Sequence, residues 1–292
     1  VILLSAVMEA IIEGVFAAWA LPELDTIFPS LAALQELVGL LVVISVLLGL
    51  ARWYLVPPKR YYGPEVNVHV RLDATLILLT ILLIIVSMFG TNATHMLLTG
   101  SYPASRFVSL QLAALLRGHS YLTAWHEIFW WVHILLVLGL LNYLPNSKHL
   151  HVLTSIPNVF FASLKPRGEL AKLNLEDESA EKFGVNDITD LTWKNLLDGY
   201  TCTDCGRCTA SCPANFTGKS LSPRKIIMNI RQRSAELSPL LKEGTTEQNQ
   251  ETVNRRLLDG YITEDELWAC TTCQACMQEC PVMIEHVPVI VD

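Results

Sequence analysis

All eight cysteines of the chain fall in two runs. Cys202, Cys205, Cys208 and Cys212 precede Pro213, and Cys270, Cys273, Cys276 and Cys280 precede Pro281. Both runs read C-x2-C-x2-C-x3-C-P, a spacing that holds iron–sulfur clusters. A 4Fe–4S cluster needs four thiolates converging on one small cube. Two-residue gaps let three sulfurs of a tight turn reach three irons. The fourth cysteine follows a wider gap, and a proline stops the turn behind it, so it points away. Where two clusters share a chain, it ligates the other one. One cluster is therefore expected on Cys202, Cys205, Cys208 and Cys280, and a second on Cys270, Cys273, Cys276 and Cys212. Zinc sites close with two C-x2-C pairs or with histidines and have no use for a third evenly spaced cysteine. Disulfides need an oxidising compartment, which the topology below argues against.

A chain of 292 residues has room for two domains. It is 51% hydrophobic and only 17% charged, too apolar for an ordinary water-soluble protein, and the apolar excess sits in the first half. The net charge of −7 comes largely from the second half, so nothing suggests nucleic acid as a partner. The chain starts at Val1, inside an apolar run, and reads as the visible part of a longer polypeptide.

Crossing a bilayer core of about 30 Å takes about 20 helical residues. Four apolar stretches approach or exceed that length: Val1 to about Ala20 (with Glu9 and Glu13, the tail of a span), Leu31 to Val56, Leu72 to Leu98, and Leu122 to Leu144. Pro57-Pro58 stops the second and Pro145 the fourth. Short cytoplasmic loops are enriched in Lys and Arg. Arg52, Lys59, Arg60 and Arg71 lie around the loop between the second and third spans, and Lys148, Lys165 and Arg167 follow the fourth. Glu23 and Asp25 precede the second span, while residues 99–121 carry Arg106 and Arg117 alone among Lys and Arg. The bias predicts a multi-pass protein of the inner (cytoplasmic) membrane with its cysteine domain in the cytoplasm, a reducing compartment that suits thiolate ligation.

The fourth span holds the second chemical signal. His126 and His133 lie on it, and His149 and His151 follow its exit. His133 and His151 are 18 residues apart, which is five helical turns. If the helix continues through Pro145, both imidazoles share a face, at most about 27 Å apart because proline kinks helices. Ionisable residues inside a span are costly and mark function by default, and a neutral imidazole is a standard axial haem ligand. His133, within apolar sequence, is favoured as a ligand. His119 and His149 read as interfacial polar residues, and Trp125, Trp130 and Trp131 as belt or packing residues.

His133 through His151, with Pro145, Ser147, Lys148 and His149-Leu150-His151, resembles the last span of the cytochrome b gamma subunit of respiratory nitrate reductase. The resemblance implies a transmembrane helical bundle over 1–151 in which each histidine ligates a different haem b, with partner ligands on an earlier span. That span corresponds to the one at Val1. The partner of His151 would lie upstream of Val1, and the position for the other, near Ala6 to Glu9, holds no histidine. His95 and His126, near the outer ends of their spans, are the alternative pair. One or two haems b are expected.

Residues 152–190 become acidic and polar, as in Glu176-Asp177-Glu178, and read as a linker. Asp190 to Tyr200 reads as a short helix feeding the first run. Ser222-Pro223 opens a helix to about Glu236, Glu243 to Glu251 reads as a loop, and Thr263-Glu264-Asp265-Glu266 begins another helix. Arg224, Lys225, Arg231 and Arg233 read as a solvated basic face, with a docking surface for an acidic partner as the sharper alternative. Strand-like alternation is nearly absent. The chain is therefore expected to be mainly α, with 191–292 a helical ferredoxin domain holding both clusters.

This half resembles the iron–sulfur proteins of the heterodisulfide reductase and glycolate oxidase group. The chain as a whole resembles the membrane-bound family that fuses a nitrate-reductase-gamma-like cytochrome to such a domain, including the electron-transfer-flavoprotein:menaquinone oxidoreductases. The matching features are Leu196-Leu197-Asp198, Cys205-Gly206-Arg207-Cys208, Thr217-Gly218-Lys219 with Leu221-Ser222-Pro223, Leu267-Trp268-Ala269-Cys270 and Cys280-Pro281-Val282. The resemblance implies a respiratory-chain oxidoreductase. Electrons would come from a cytoplasmic donor, a reduced electron-transfer flavoprotein or another flavin dehydrogenase, and pass through two 4Fe–4S clusters and haem b to menaquinone, the substrate. Further subunits or a homodimer are expected beside lipid and quinone. Two other readings stay open: a heterodisulfide-reductase-like enzyme that reduces a disulfide with quinol electrons, and a relay subunit for a lactate- or glycolate-type dehydrogenase. No acid–base pair or nucleophile constellation is visible, so no catalytic side chain is assigned, and the chain's work is to place cofactors and tune their potentials.

Overall fold

The computed structural model describes residues 29–63, 65–66, 68–166, 168–170, 176, 183–243 and 249–292. The expected first span, Val1 to Ala20, and most of the acidic stretch around Asp177 lie outside the described residues. Contacts divide the chain into two units: His69–Tyr143 with the described part of Val1–Pro57, and Leu144–Asp292 with Pro58–Val68. Among the described residues there is no strand, only an isolated bridge between Leu258 and Ile262. The protein is mainly α, as the lack of alternation predicts.

The first unit is built from α1 (Pro29–Tyr54), α2 (Val68–Thr99), α3 (Phe107–Leu116) and α4 (Leu122–Tyr143). Helices α1, α2 and α4 are the second, third and fourth expected spans to within a few residues, and each is long and apolar enough to cross a membrane. Helix α3 falls where a loop was expected. It is too short to span, and its N-terminus is satisfied from α1. Glu36 Oε2 accepts from the Val108 and Ser109 amides at 2.8 Å each, and Oε1 accepts from Ser109 Oγ at 2.6 Å. A carboxylate on the orphan amides at the positive end of a helix is favourable. That interaction lets a fully buried glutamate stand in α1. Arg106, in the turn before α3, donates to Gln35 Oε1 at 3.1 Å.

Helix α2 contacts both of its long neighbours through glycine. A Cβ on Gly39 of α1 would lie 2.8 Å from the Phe89 ring, and one on Gly90 of α2 would lie 2.5 Å from the Phe129 ring of α4. Small residues let helix backbones approach where lipid supplies no hydrophobic drive. Tyr54 and Thr75 share a hydrogen bond of 2.6 Å, and Tyr143 donates to Asp73 at 2.5 Å. Exposed Leu41, Leu48, Leu76, Leu83, Leu135 and Leu138 form apolar faces of the kind a bilayer covers.

The helix does not continue through Pro145. Two 3-10 turns follow α4, Leu144–Asn146 and Lys148–Leu150, and Ser147 Oγ accepts from the His149 amide at 3.1 Å. A new helix, α5, spans His151–Phe160. Pro145 has no amide to donate and its ring opposes a continuing helix. His133 and His151 therefore lie on different helices, and the shared face expected of one continuous helix does not form.

The second unit continues from α5 with α6 (Trp193–Thr201), α7 (Arg207–Ala210), α8 (Pro213–Phe216), α9 (Pro223–Glu243), α10 (Gln250–Asn254), α11 (Glu264–Trp268), α12 (Ala275–Gln278) and α13 (His286–Val291). Residues 151–160, read above as mostly linker, pack on α6. There Asn158 Nδ2 donates to Asp198 Oδ1 and to the Val282 carbonyl at 2.9 Å each. Thr192 and Thr263 open α6 and α11 with reciprocal caps from Asn195 and Glu266. The core gathers on α9 through Ile226, Ile227, Ile230 and Leu237.

The basic residues of α9 form neither a solvated face nor a docking surface. Arg224 and Arg233 are buried. Arg224 pairs with Glu65 at 2.7 Å and donates to the carbonyls of Arg60 and Tyr62. Arg233 forks onto Asp187, with Nε–Oδ1 at 2.9 Å and Nη2–Oδ2 at 2.6 Å, and donates to the Thr252 carbonyl. Arg231 grips both oxygens of Asp204 at 3.1 and 3.0 Å, and Lys225 pairs with Glu266. Buried guanidinium groups persist where carboxylates and carbonyls meet all their donors. Those partners come from distant parts of the chain.

Gly90→Ala would place a methyl group 2.5 Å from Phe129 Cδ1, and overpacking of this kind costs about 1–3 kcal/mol. The variant, purified in detergent, is expected to unfold at a lower temperature than wild type, and Gly90→Ala combined with Phe129→Leu should recover most of the loss. A wild-type midpoint for the single variant would contradict the α2–α4 contact.

Candidate redox centres

The two cysteine runs fold alike. Asp204 and Gly206 in the first, and Thr272 and Gln274 in the second, adopt left-handed backbone with φ of 55°, 72°, 51° and 65°. These are the same two positions of each run. A one-turn helix follows, α7 or α12, and ends just before the fourth cysteine. Left-handed backbone is unfavourable for Asp, Thr and Gln, and it is the local cost of turning three thiols inward. At Gly206 a side chain would also collide, its Cβ lying 2.4 Å from the Arg60 carbonyl oxygen and 2.6 Å from the Arg224 guanidinium.

Cys202, Cys205 and Cys208 line one cavity together with Cys280 of the other run, Arg224 and His286. It holds about 290 Å³ of atom-free space, part of it open to solvent. The remaining thiols form the complementary group. Cys276 feels Cys270, Cys212 and Cys273, and Cys270 feels Cys212 and Cys273. Each run thus gives its fourth cysteine to the other's group. Among the described residues, no three His, Cys, Asp or Glu side chains converge as the ligands of a single ion would. Cys202, Cys205, Cys208 and Cys280 line a space between them instead. None is in a disulfide, and Cys273 alone is exposed.

Burial pushes the Cys208 thiol up to about 12, with neighbouring Cys205 and Cys280 adding to the effect, and pushes Cys276 up to about 12 as well. Burial, then Asp204, drives Cys202 well up, and burial raises Cys270 and Cys280. Bare, these groups are protonated at neutral pH. As thiolates they need positive charge in the space between them, which iron supplies. The all-sulfur donor set suits it. Amides already face the sulfurs: Thr272 N–H donates to Cys270 Sγ and Ile284 N–H to Cys280 Sγ, at 3.4 Å each. Such bonds tune cluster potentials.

His126 and His133 both turn toward α2. His133 Nδ1 donates to the Ile84 carbonyl at 3.0 Å, with Ser87 Oγ at 3.2 Å. His126 Nδ1 meets Thr94 Oγ1 at 3.1 Å, a hydroxyl whose own proton goes to the Gly90 and Thr91 carbonyls. His151 Nδ1 donates to the Lys148 carbonyl at 2.7 Å. Each partner is free only to accept, so Nδ1 carries the proton and Nε2 keeps its lone pair. That is the state of a metal-ligating imidazole. His95 lies against His126, with ring centroids 5.9 Å apart and planes tilted by 33°.

Two residues were not assigned a role from sequence. His286 is 1% exposed, donates from Nδ1 to the Ile284 carbonyl at 3.1 Å and lines the Cys202 cavity. Its signal was a lone histidine within the apolar stretch Ile284–Ile290. Asp198 had been noted only as part of a motif. It is fully buried and accepts from Lys194 at 2.7 Å, Asn158 at 2.9 Å and the Glu285 amide at 3.4 Å. Burial raises its pKa although Lys194 opposes the shift. Asp198 ties α5 and α6 to the chain that follows Cys280.

The class follows from this geometry and from the family whose pattern it meets. The chain carries a 4Fe-4S dicluster domain, matched over residues 194–281, which takes in both runs. It is 33% identical over 300 residues to the probable iron-sulfur-binding oxidoreductase FadF of Bacillus subtilis, covering 92% of this chain and 41% of that protein. The EtfAB:quinone oxidoreductase of Syntrophomonas wolfei is 35% identical over 205 residues, 65% of this chain and 28% of its own. One subunit of the ferredoxin:CoB-CoM heterodisulfide reductase of Methanosarcina mazei is 35% identical over 86 residues, 29% of this chain and 37% of its own. The chain spans less than half the length of these relatives. No solved structure matches it. The resemblance to the electron-transfer-flavoprotein:quinone oxidoreductases and to heterodisulfide reductase iron–sulfur proteins is borne out, and relatives named as oxidoreductases support an oxidoreductase role.

Burial holds the pKa of His286 down at about 4, against 6.5 when exposed. Between those values the unfolded chain binds the extra proton, so the fold loses stability as pH falls, by about 1.4 kcal/mol per unit. Lowering the pH from about 7.5 to about 5.5 should therefore depress the thermal midpoint of wild type more than that of His286→Leu, whose unfolded state gains no proton there. Equal depressions would show that His286 is not held neutral by burial.

Proposed function

We propose that this chain carries electrons from a cytoplasmic donor, a reduced electron-transfer flavoprotein, through two 4Fe–4S clusters and haem b to menaquinone in the inner membrane. The observation that carries the proposal is the exchange of fourth cysteines: Cys280 lines the cavity of the first run, and Cys212 lies among the thiols of the second. Clusters held there and haem held by histidine would supply one-electron carriers.

The chain's own residues do the holding. Cys202, Cys205, Cys208 and Cys280 form one ligand set, and Cys270, Cys273, Cys276 and Cys212 the other. Amides of Thr272 and Ile284 steady the negative sulfurs. His133 and His151 are the proposed haem ligands, each with Nδ1 fixed to a carbonyl and Nε2 left to bind. His95 and His126 are the alternative pair. Three apolar helices support a membrane location, and the Lys and Arg bias of the loops supports a cytoplasmic cluster domain. The flavoprotein and quinone are supported by the name of the Syntrophomonas relative. An assembly of several chains is supported by the Methanosarcina relative, itself one part of a larger enzyme.

That same relative favours a second reading, in which quinol electrons reduce a disulfide. Thiol release from a disulfide with quinol as reductant separates it from quinone reduction by the reduced flavoprotein.

Anaerobic titration of the purified protein, following haem absorption and cluster paramagnetism together, tests the assignment. Cys280→Ser is expected to lose or alter the signal of one cluster, Cys212→Ser that of the other, and His133→Ala to lose haem absorption with both cluster signals intact. Native protein should contain about eight iron atoms per chain outside haem. Colourless protein rich in zinc, or full haem retention in both His133→Ala and His151→Ala, would overturn the corresponding ligand set.

A further inference from the structure

The two runs fold alike but are covered unequally. The first turn is sealed. Arg60 closes over Gly206, and Arg224, only 1% exposed, binds the carbonyls of Arg60 and Tyr62 together with Glu65. Arg60, Tyr62 and Glu65, between α1 and α2 in sequence, therefore lie on the first run. The position equivalent to Gly206 in the second run is Gln274, which carries a side chain, and the turn around it is open. Thr271, Thr272 and Cys273 are exposed.

Two exposed aromatic side chains stand next to cysteines of the second group in sequence. Trp268, just before Cys270, is 85% exposed, and Phe216, shortly after Cys212, is 87% exposed. Leu267, Ala269 and Cys270 pack against the core that contains Cys212 and Ala214, so the segments that carry both aromatics adjoin the second group of thiols. Glu264, Asp265 and Glu279 are exposed nearby in sequence, whereas Lys219 is the sole Lys or Arg within 211–221 and 261–283.

We propose that the surface beside the second group of thiols is the docking face for a soluble one-electron donor protein, with Trp268 and Phe216 as anchors and a partner whose own rim is basic. The proposal rests on the electron-transfer reading above. Large aromatics at the centre of a patch with charges around it are the usual composition of binding hot spots. Redox encounters are small and short-lived, so two anchors and a charged rim suffice. A 4Fe–4S cluster held by Cys270, Cys273, Cys276 and Cys212 would take up the one electron that the donor's reduced flavin gives up. No bond is made or broken. A cluster held by the first thiol group, which Arg60, Tyr62 and Glu65 cover with Arg224, would pass the electron onward.

The test uses the full holoprotein in lipid nanodiscs and reduced electron-transfer flavoprotein as the probe. Affinity is read by surface plasmon resonance and flavin oxidation by stopped flow. Dithionite-reduced methyl viologen serves as a small donor that needs no docking face. Trp268→Ala and Phe216→Ala are each expected to raise Kd about tenfold or more, with cluster signals and viologen-driven reduction unchanged. Glu264→Lys with Asp265→Lys should slow association and flatten its salt dependence. Leu241→Ala, an exposed apolar change on α9, should leave Kd as it is. Wild-type affinity and rate in both aromatic variants overturn the docking face. A wild-type protein that accepts electrons from viologen but neither binds nor oxidises the flavoprotein overturns the donor assignment, and the face with it. The behaviour of the wild type tells the two failures apart.

Discussion

Sulfur buried away from water keeps its proton, and the cluster domain is organised around that fact. Burial raises the Cys202, Cys208, Cys270, Cys276 and Cys280 thiols, so charge on them is stable only when something positive fills the space they enclose. The backbone must bring them together first. Four residues take left-handed conformations to do so, three of them at a cost of about 1–3 kcal/mol each. Such strain persists only where the surroundings over-determine it. Arg231 supplies part of that by holding Asp204 and the Cys202 carbonyl. Asn158 and Asp198 hold the chain just beyond Cys280.

Much of this holding is done by buried ion pairs. Arg233–Asp187 and Arg224–Glu65 bridge segments far apart in sequence. A buried pair contributes little net stability over well-packed apolar residues, yet losing one partner is severely destabilising. Its effect here is to fix which segments meet. One consequence is that residues 58–68, flanked by two long apolar helices, belong by contact to the cluster domain. The covering of one cysteine turn and the openness of the other follow from it.

The first unit obeys the same rule with different groups. A polar side chain among apolar helices is retained where a neighbouring helix satisfies it. Glu36 is met by the amides that open α3, and Ser87 and Thr94 give their protons to their own helix while facing His133 and His126. That leaves one nitrogen of each imidazole uncommitted, a donor state no count of histidines would reveal.

What could be read directly from the chain is what depends on near neighbours. Thiol spacing within each run, apolar lengths sufficient to span a membrane, and the caps at Thr192 and Thr263 are local patterns, and local geometry translates them into turns and helices. The expected exchange of fourth cysteines rests on a local pattern too, a wide gap and a following proline that aim that residue away from its own run. Folding alone decided the rest. Arg224 and Glu65 are 159 residues apart, Asn158 and Val282 are 124 apart, and Arg233 and Asp187 are 46 apart. A charged helix face therefore looked solvated until its partners arrived from elsewhere. Helix α3 was missed because its cap comes from Glu36, 73 residues before Ser109. His286 was passed over because burial, unlike spacing, is a property of everything packed around a side chain. The chemistry of the donors is written in sequence, while which of them is sealed and which is open is settled by contacts that only the folded chain makes.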